Sequence, residues 1–139
     1  MKKTWFISGN VPSLKNSKVA TSRGIFHSKT VKKYLQQKGI ADYSASKKTV
    51  KDYKTRDNIF RKEIEGLKEE LLRHTKPYKI KFYFIRDSKR KFDYINAVQL
   101  PLDLLIAHGI IDDDNCDEVI PVFLGYDVNK NNSGLFITI

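Results

Sequence analysis

The chain has 139 residues, a net charge of +10 and a single cysteine. That length fits one domain with a real core. No apolar run approaches the ~20 residues of a membrane-spanning helix, and the apolar part of MKKTWFISGNVPS is too short for a signal peptide. The lone Cys116 excludes an internal disulfide and a cysteine-based zinc site, its acidic neighbours disfavour a thiolate nucleophile, and sparse cysteine fits a cytoplasmic protein.

The elements read in order as follows. Lys3–Ser8 (KTWFIS) is aromatic and β-branched and predicts a first strand closed by Gly9-Asn10. Val11–Lys18 is a loop in which Lys15, Asn16, Ser17 and Lys18 have the composition of a phosphate contact, and equally that of an ordinary basic loop. Val19–Thr21 and Gly24–His27 flank Ser22-Arg23 as a small hairpin. Ser28 can cap a helix to about Lys38, with Val31, Tyr34 and Leu35 on its apolar side and Gly39 ending it. The small polar stretch ADYSASKK predicts a loop. A long helix is expected from Thr49 to about His74, with Val50, Tyr53, Phe60, Ile64, Leu67 and Leu71 as its buried stripe and Gly66 tolerated at about 1 kcal/mol. Pro77 breaks it. Tyr78–Arg86 alternates as a strand, with Tyr78, Ile80, Phe82 and Phe84 sharing one side. Val119–Tyr126 is a strand that Pro121 assigns to an edge or a bulge, and Gly134–Ile139 is the last. The order predicts an α/β fold, a single domain over 1–139 with helices packed on a mixed, mostly antiparallel sheet.

The chemistry concentrates in Lys91–Glu118, KFDYINAVQLPLDLLIAHGIIDDDNCDE. Asp93 precedes an apolar helical run that ends at Gly109, and Asp112, Asp113 and Asp114 follow. Asp93 and the triple acid lie at opposite ends of that helix, so they approach only if the chain folds back after Gly109 or if both border one cleft. Asn96, Gln99 and Asp103 share one helix face, whereas Val98, Leu102 and Leu105 take the other. Gathered carboxylates suit Mg²⁺, which usually takes one or two of them plus water and phosphate oxygens; the same residues also suit a solvated face and a polar turn. Pro101 inside the helix removes one backbone hydrogen bond. Charge is unevenly spread: residues 1–91 carry 25 Lys and Arg against 8 Asp and Glu, whereas residues 92–139 carry 1 against 8. A basic body with an acidic spot suits a polyanion partner and a metal held against one phosphate.

With these residues in hand, the chain resembles the RusA family of Holliday junction resolvases, often carried by phages and prophages. The resemblance spans nearly all of it: the G-x-V-P-S-x-K-N-S-K loop (Gly9–Lys18), a basic helical middle, a strand, and an acid-led helix. That helix continues through Leu102-Asp103-Leu104-Leu105 and Gly109 to Asp113-Asp114. The resemblance implies a RusA-like fold, a homodimer, DNA as partner and Mg²⁺ (or Mn²⁺) as cofactor. It makes Asp93 the first acid of the D-x-D-N motif and a metal ligand, Asn96 its asparagine, Asp103 the mid-helix acid, and Asp113 and Asp114 the later pair. Two positions depart from the pattern: Ile95 replaces the second acid, and Gln99 replaces a lysine. Asp112 is an extra acid available as a substitute ligand, and Lys15, Lys18 or Lys89-Arg90-Lys91 can supply the missing positive charge.

The expected function is a Mg²⁺-dependent endonuclease that resolves four-way or other branched DNA by paired symmetric nicks, working inside a bacterial host cell. Asp93, Asp113, Asp114 and Asp112 would hold metal, Asn96, Gln99 and Asp103 would orient ligands or water, and Lys15, Asn16, Lys18, Lys89, Arg90 and Lys91 would meet DNA. Two other classes fit the residues. One is a branched-DNA binder of this fold that has lost cleavage, motivated by Ile95 and Gln99; the other is a basic protein-interaction or inhibitor module.

Overall fold

A computed structural model describes residues 3–13, 18–21, 24–27, 29–38, 40–43, 48–50 and 59–139, with backbone alone at 18–21, 24–27, 40–43 and 48–50. In chain order these form β1 (Thr4–Ser8), β2 (Lys18–Thr21), β3 (Gly24–His27), α1 (Lys29–Gln37), β4 (Ile40–Tyr43), β5 (Lys48–Val50), α2 (Phe60–Glu63), α3 (Leu67–Leu71), β6 (Tyr78–Arg86), α4 (Tyr94–Ala107), β7 (Val119–Val128) and β8 (Gly134–Thr138). Lys15, Asn16, Ser17, Ser22, Arg23, Ser28, Gly39 and Tyr53 lie outside the described residues.

One four-stranded sheet, ordered β1-β8-β6-β7, carries the fold. β8 pairs antiparallel with both β1 and β6, and β7 runs parallel to β6. The sheet is therefore mixed, and with its helices it makes a single small α/β domain. β6 is central because its alternation works on both faces. Tyr78, Ile80, Phe82 and Phe84 are buried, and with Trp5, Ile7, Leu135 and Ile137 they form the sheet's contribution to the core. Side chains of the other parity, among them Phe6, Lys81, Tyr83, Ile85 and Phe136, keep part of their surface exposed. The parallel β6–β7 pair needs a crossover, and α4 supplies it. Pro121 is on β7, an edge strand, where its missing N–H costs no internal ladder bond. A bulge opposite Phe82 and Tyr83 falls at Leu124.

The antiparallel pairing of β2 with β3 and the helix burying Val31, Tyr34 and Leu35 agree with the sequence pattern. Two expectations fail. ADYSASKK is not a loop throughout: Ile40–Tyr43 and Lys48–Val50 pair antiparallel. Small polar residues in its middle mask flanks (Ile40, Tyr43, Thr49, Val50) that have high strand propensity. Nor is there one long helix from Thr49 to His74. Residues 48–50 are strand, and the helical part is split into α2 and α3. Gly66 makes the split, at φ +84°, a left-handed conformation that glycine alone takes without strain. Phe60, Ile64, Leu67 and Leu71 are still buried. Their 4-3-4 spacing survives the break, which is why periodicity alone reported one helix.

The first turn of α4 is half-buried, with only Ile95 exposed, and its middle is submerged. From Leu100 to Leu105 every residue is buried, Pro101 and Asp103 included. Val98, Leu102 and Leu105 are buried as expected. Nothing in the structure explains Pro101. Among the described residues no helix is long and apolar enough to cross a membrane.

Candidate functional site

The polar face of α4 begins at Asp93, which occupies the N-cap position with extended backbone. Its carboxylate makes no capping bond; Oδ2 accepts instead from Asn96 Nδ2 at 3.4 Å. An acid here also feels the positive end of the helix dipole. The basic residues Lys89, Arg90 and Lys91 precede it and are all exposed. Their loop is pinned at its base. The Arg86 guanidinium lies 4.4 Å from the centre of the Phe92 ring and donates to the Val11 carbonyl, and Asp87 N–H donates to Asn10 Oδ1. Asn10 and Val11, which follow β1, and the Lys89–Lys91 run thus meet at one end of the sheet.

The helix ends in a Schellman motif. Gly109, at φ +72°, donates its N–H to the Ile106 carbonyl, and Ile110 donates to Leu105 at 2.8 Å. Ile111 is buried. The chain therefore folds back along the helix, and Asp114 reaches Gln99, fifteen residues earlier. Gln99 Nε2 donates to Asp103 Oδ1 at 3.2 Å and to Asp114 Oδ2 at 3.5 Å. One amide thus holds two carboxylates together. Asp103 is only 4% exposed. The Asp114 carboxyl is pushed above the usual carboxylate range, first by its burial and next by the charge of Asp103, with Asp113 adding to it. Such a pair repels unless it gains a proton or a cation.

The remaining acids are engaged elsewhere. Asp113 accepts from the Asp114 N–H at 2.8 Å and from Asn115 Nδ2 at 3.1 Å, so it shapes the turn that presents Asp114. Asp112 Oδ2 lies 3.2 Å from Lys76 Nζ, which also pairs with Glu118 at 2.6 Å. Asp93 stands about 9 Å of helix rise from Gln99. The structure thus makes two groupings on one helix face: Asp93 with Asn96, and Gln99 with Asp103 and Asp114. Among the described residues no three His, Cys, Asp or Glu side chains gather closely enough to hold a metal. Ile95, which replaces an acid of the resembled motif, is 77% exposed. As donors, Asp103 and Asp114 nevertheless fit a hard cation, because Mg²⁺ is commonly held by one or two carboxylates with water completing its shell.

A further polar constellation had no warning in the sequence. Lys38 is 1% exposed; its Nζ donates to Glu63 Oε1 at 3.0 Å and to the Ser8 carbonyl at 2.7 Å, and Glu63 Oε2 accepts from the Ser8 N–H. Burial lowers the lysine's pKa, and Glu63 partly restores it. His108, also buried, has Nε2 2.7 Å from the Lys38 carbonyl and its ring 4.7 Å from Phe60. These residues are too far apart in sequence for any spacing rule to join them. They tie the ends of β1, α1, α2 and α4 together.

No protein-family model matches this chain, and no curated protein matches it.

Proposed function

We propose that this chain is a RusA-like, Mg²⁺-dependent, structure-specific DNA endonuclease that resolves Holliday junctions or other branched DNA in the host cytoplasm. The observation that carries the reading is the fold-back that sets Asp114 beside buried Asp103 under one amide, on the helix face that starts at Asp93 and the basic loop. Mg²⁺ held by Asp103 and Asp114, with Asp93 at the helix entrance, would supply charge neutralisation at the scissile phosphate and lower the pKa of an attacking water. Gln99 fixes the rotamers of both carboxylates, and Asn96 does the same for Asp93. Lys89, Arg90 and Lys91, with Lys15, Asn16 and Lys18 of the Gly9–Lys18 motif, hold the backbone phosphates. Paired symmetric nicks require two matched sites, so the working form is a homodimer with two-fold symmetry.

Exposed Ile95 in place of an acid, and two carboxylates together rather than three, favour a second reading: a branched-DNA binder without cleavage. Incubating a labelled four-way junction with Mg²⁺, beside EDTA and the Asp114→Asn and Asp93→Asn variants, separates the two. Paired nicks that disappear with EDTA and with Asp114→Asn are expected. Tight junction binding with no nicks in Mg²⁺ or Mn²⁺ would leave only the binder.

A further inference from the structure

The outer sheet face, opposite the core, holds a feature that the acidic helix face does not use. Phe6, Phe136 and Tyr83 stand in register across β1, β8 and β6. Phe6 and Phe136 have ring centres 4.8 Å apart, and Phe6 is 36% exposed. Beside this aromatic row the next row is Ser8, Gly134 and Ile85. It passes through Gly134, and the Phe6 ring lies over that glycine: a Cβ there would lie 2.3 Å from Phe6 Cζ. Beside Phe6 and Phe136 lies an open cavity of 340 Å³, within the size range of small-ligand sites, walled by Phe6, Phe136 and Ile85 and rimmed by Asp127, Asn129 and Asn132.

The rim is polar in a particular way. Asn129 Oδ1 accepts from the N–H groups of Asn131 and Asn132, so its amide nitrogen is the end offered outward as a donor. Asp127 Oδ1 accepts from the Val128 N–H, which leaves Oδ2 as an acceptor. Asn132 offers both. An exposed phenyl ring, a donor and an acceptor suit a planar heterocycle with mixed hydrogen-bonding edges. The surroundings select for a phosphate-bearing one. Asn129 N–H donates to the Arg86 carbonyl and Gly9 N–H to the Ser133 carbonyl. The rim therefore sits at the sheet end that carries exposed Lys89, Arg90 and Lys91. Along the outer face of β6 the residues continue as Tyr83, Lys81 and Lys79, an aromatic and then two cations.

The geometry points to this cavity as a site for one unpaired nucleobase of single-stranded or branched DNA. The base stacks on Phe6, with Phe136 packed beside it, its edge meets Asn129, Asn132 and Asp127, and its phosphates run toward the flanking lysines. Asp127 favours bases with an exocyclic amino group, which thymine lacks. The inference rests on the DNA-binding reading above and adds to it where a branch-point base is held.

The test is fluorescence anisotropy, in EDTA, with three labelled DNAs: a junction bearing one unpaired cytosine at the branch, the same junction with thymine there, and a fully paired junction. Phe6→Ala is expected to weaken binding of the cytosine junction by roughly 5- to 100-fold, the range for loss of one base–aromatic stack, and Phe6→Trp is expected to restore it. Asp127→Ala should erase the preference for cytosine over thymine. Leu72→Ala, at an exposed apolar residue away from the cavity, should change nothing. All four proteins should cleave the fully paired junction equally in Mg²⁺. Equal wild-type affinity for all three DNAs, or no effect of Phe6→Ala, overturns the cavity assignment while cleavage of the paired junction still supports the endonuclease reading. Failure to bind or cut any DNA overturns both.

Discussion

Two side chains do unusual work in this molecule, and each does it by mediating between charges. Gln99 donates one amide to two carboxylates that would otherwise turn apart. Where the resembled motif has a lysine, the glutamine orders Asp103 and Asp114 without neutralising them, so a compensating cation has to come from elsewhere. Glu63 does the converse in the interior. It faces an ammonium removed from water and also accepts from the Ser8 backbone. Desolvating an ion is costly, and removing one partner of a buried pair leaves the other uncompensated. Glu63→Ala should therefore cost about 3–5 kcal/mol, read as a lower urea midpoint. Glu63→Gln, which still accepts from Ser8, should cost less. If Glu63→Ala unfolds at the wild-type midpoint, the lysine does not depend on the pair.

At the scale of elements, the strongest consequence lies at the C-terminus of α4, where His108 bonds the Lys38 carbonyl that follows α1. Burial holds its pKa below the usual 6.5, a shift that the bond to Lys38 only partly offsets. The folded state therefore binds fewer protons than the unfolded one between the two values. The stability His108 contributes is present above about pH 6.5 and is lost as pH falls through its lower folded pKa, at up to about 1.4 kcal/mol per pH unit. Urea midpoints measured from pH 7.5 down to 5 should fall in the wild type, and His108→Gln should flatten that fall. An unchanged slope would mean that another group carries the pH dependence. The same contact marks the limit of what the sequence made legible. β6 and α4 were readable because each reports its burial locally, β6 by alternation and α4 by an apolar run between an acid and Gly109. The α2–α3 break was not, because Gly66 interrupts the backbone without disturbing the spacing of Phe60, Ile64, Leu67 and Leu71. From sequence the fold-back is only one of two ways for Asp93 and the triple acid to approach. A helix C-cap shows in the sequence as a glycine, but how far the following chain returns depends on the burial of Ile111 and on which amide Asp114 meets. The Lys38–Glu63–Ser8 and His108–Lys38 contacts join elements that only the assembled fold brings together.

At the scale of the whole molecule, the charge imbalance acquires a geometry. The acidic half contributes the helix face and its turn, and the Lys89–Lys91 loop sits where that face begins, braced by Arg86 against Phe92 and the Val11 carbonyl. A braced loop loses little freedom when it meets a phosphate chain, so its cations should act as a unit. Each phosphate neutralised on duplex DNA contributes about 0.9 to the slope of log affinity against log salt. Replacing Lys89, Arg90 and Lys91 together with alanine should reduce that slope by roughly 2 to 3 if all three meet phosphates. It should weaken binding to linear and branched duplex arms alike, because phosphate contacts carry no sequence or branch information. Anisotropy titrations across a range of salt concentrations measure both. A lost preference for junctions with the slope intact would mean that the loop reads branch shape rather than charge. An unchanged slope and affinity would move the DNA path off this end of the sheet, to the basic surface of residues 1–86, and would separate the acidic helix face from the phosphate it is proposed to act on.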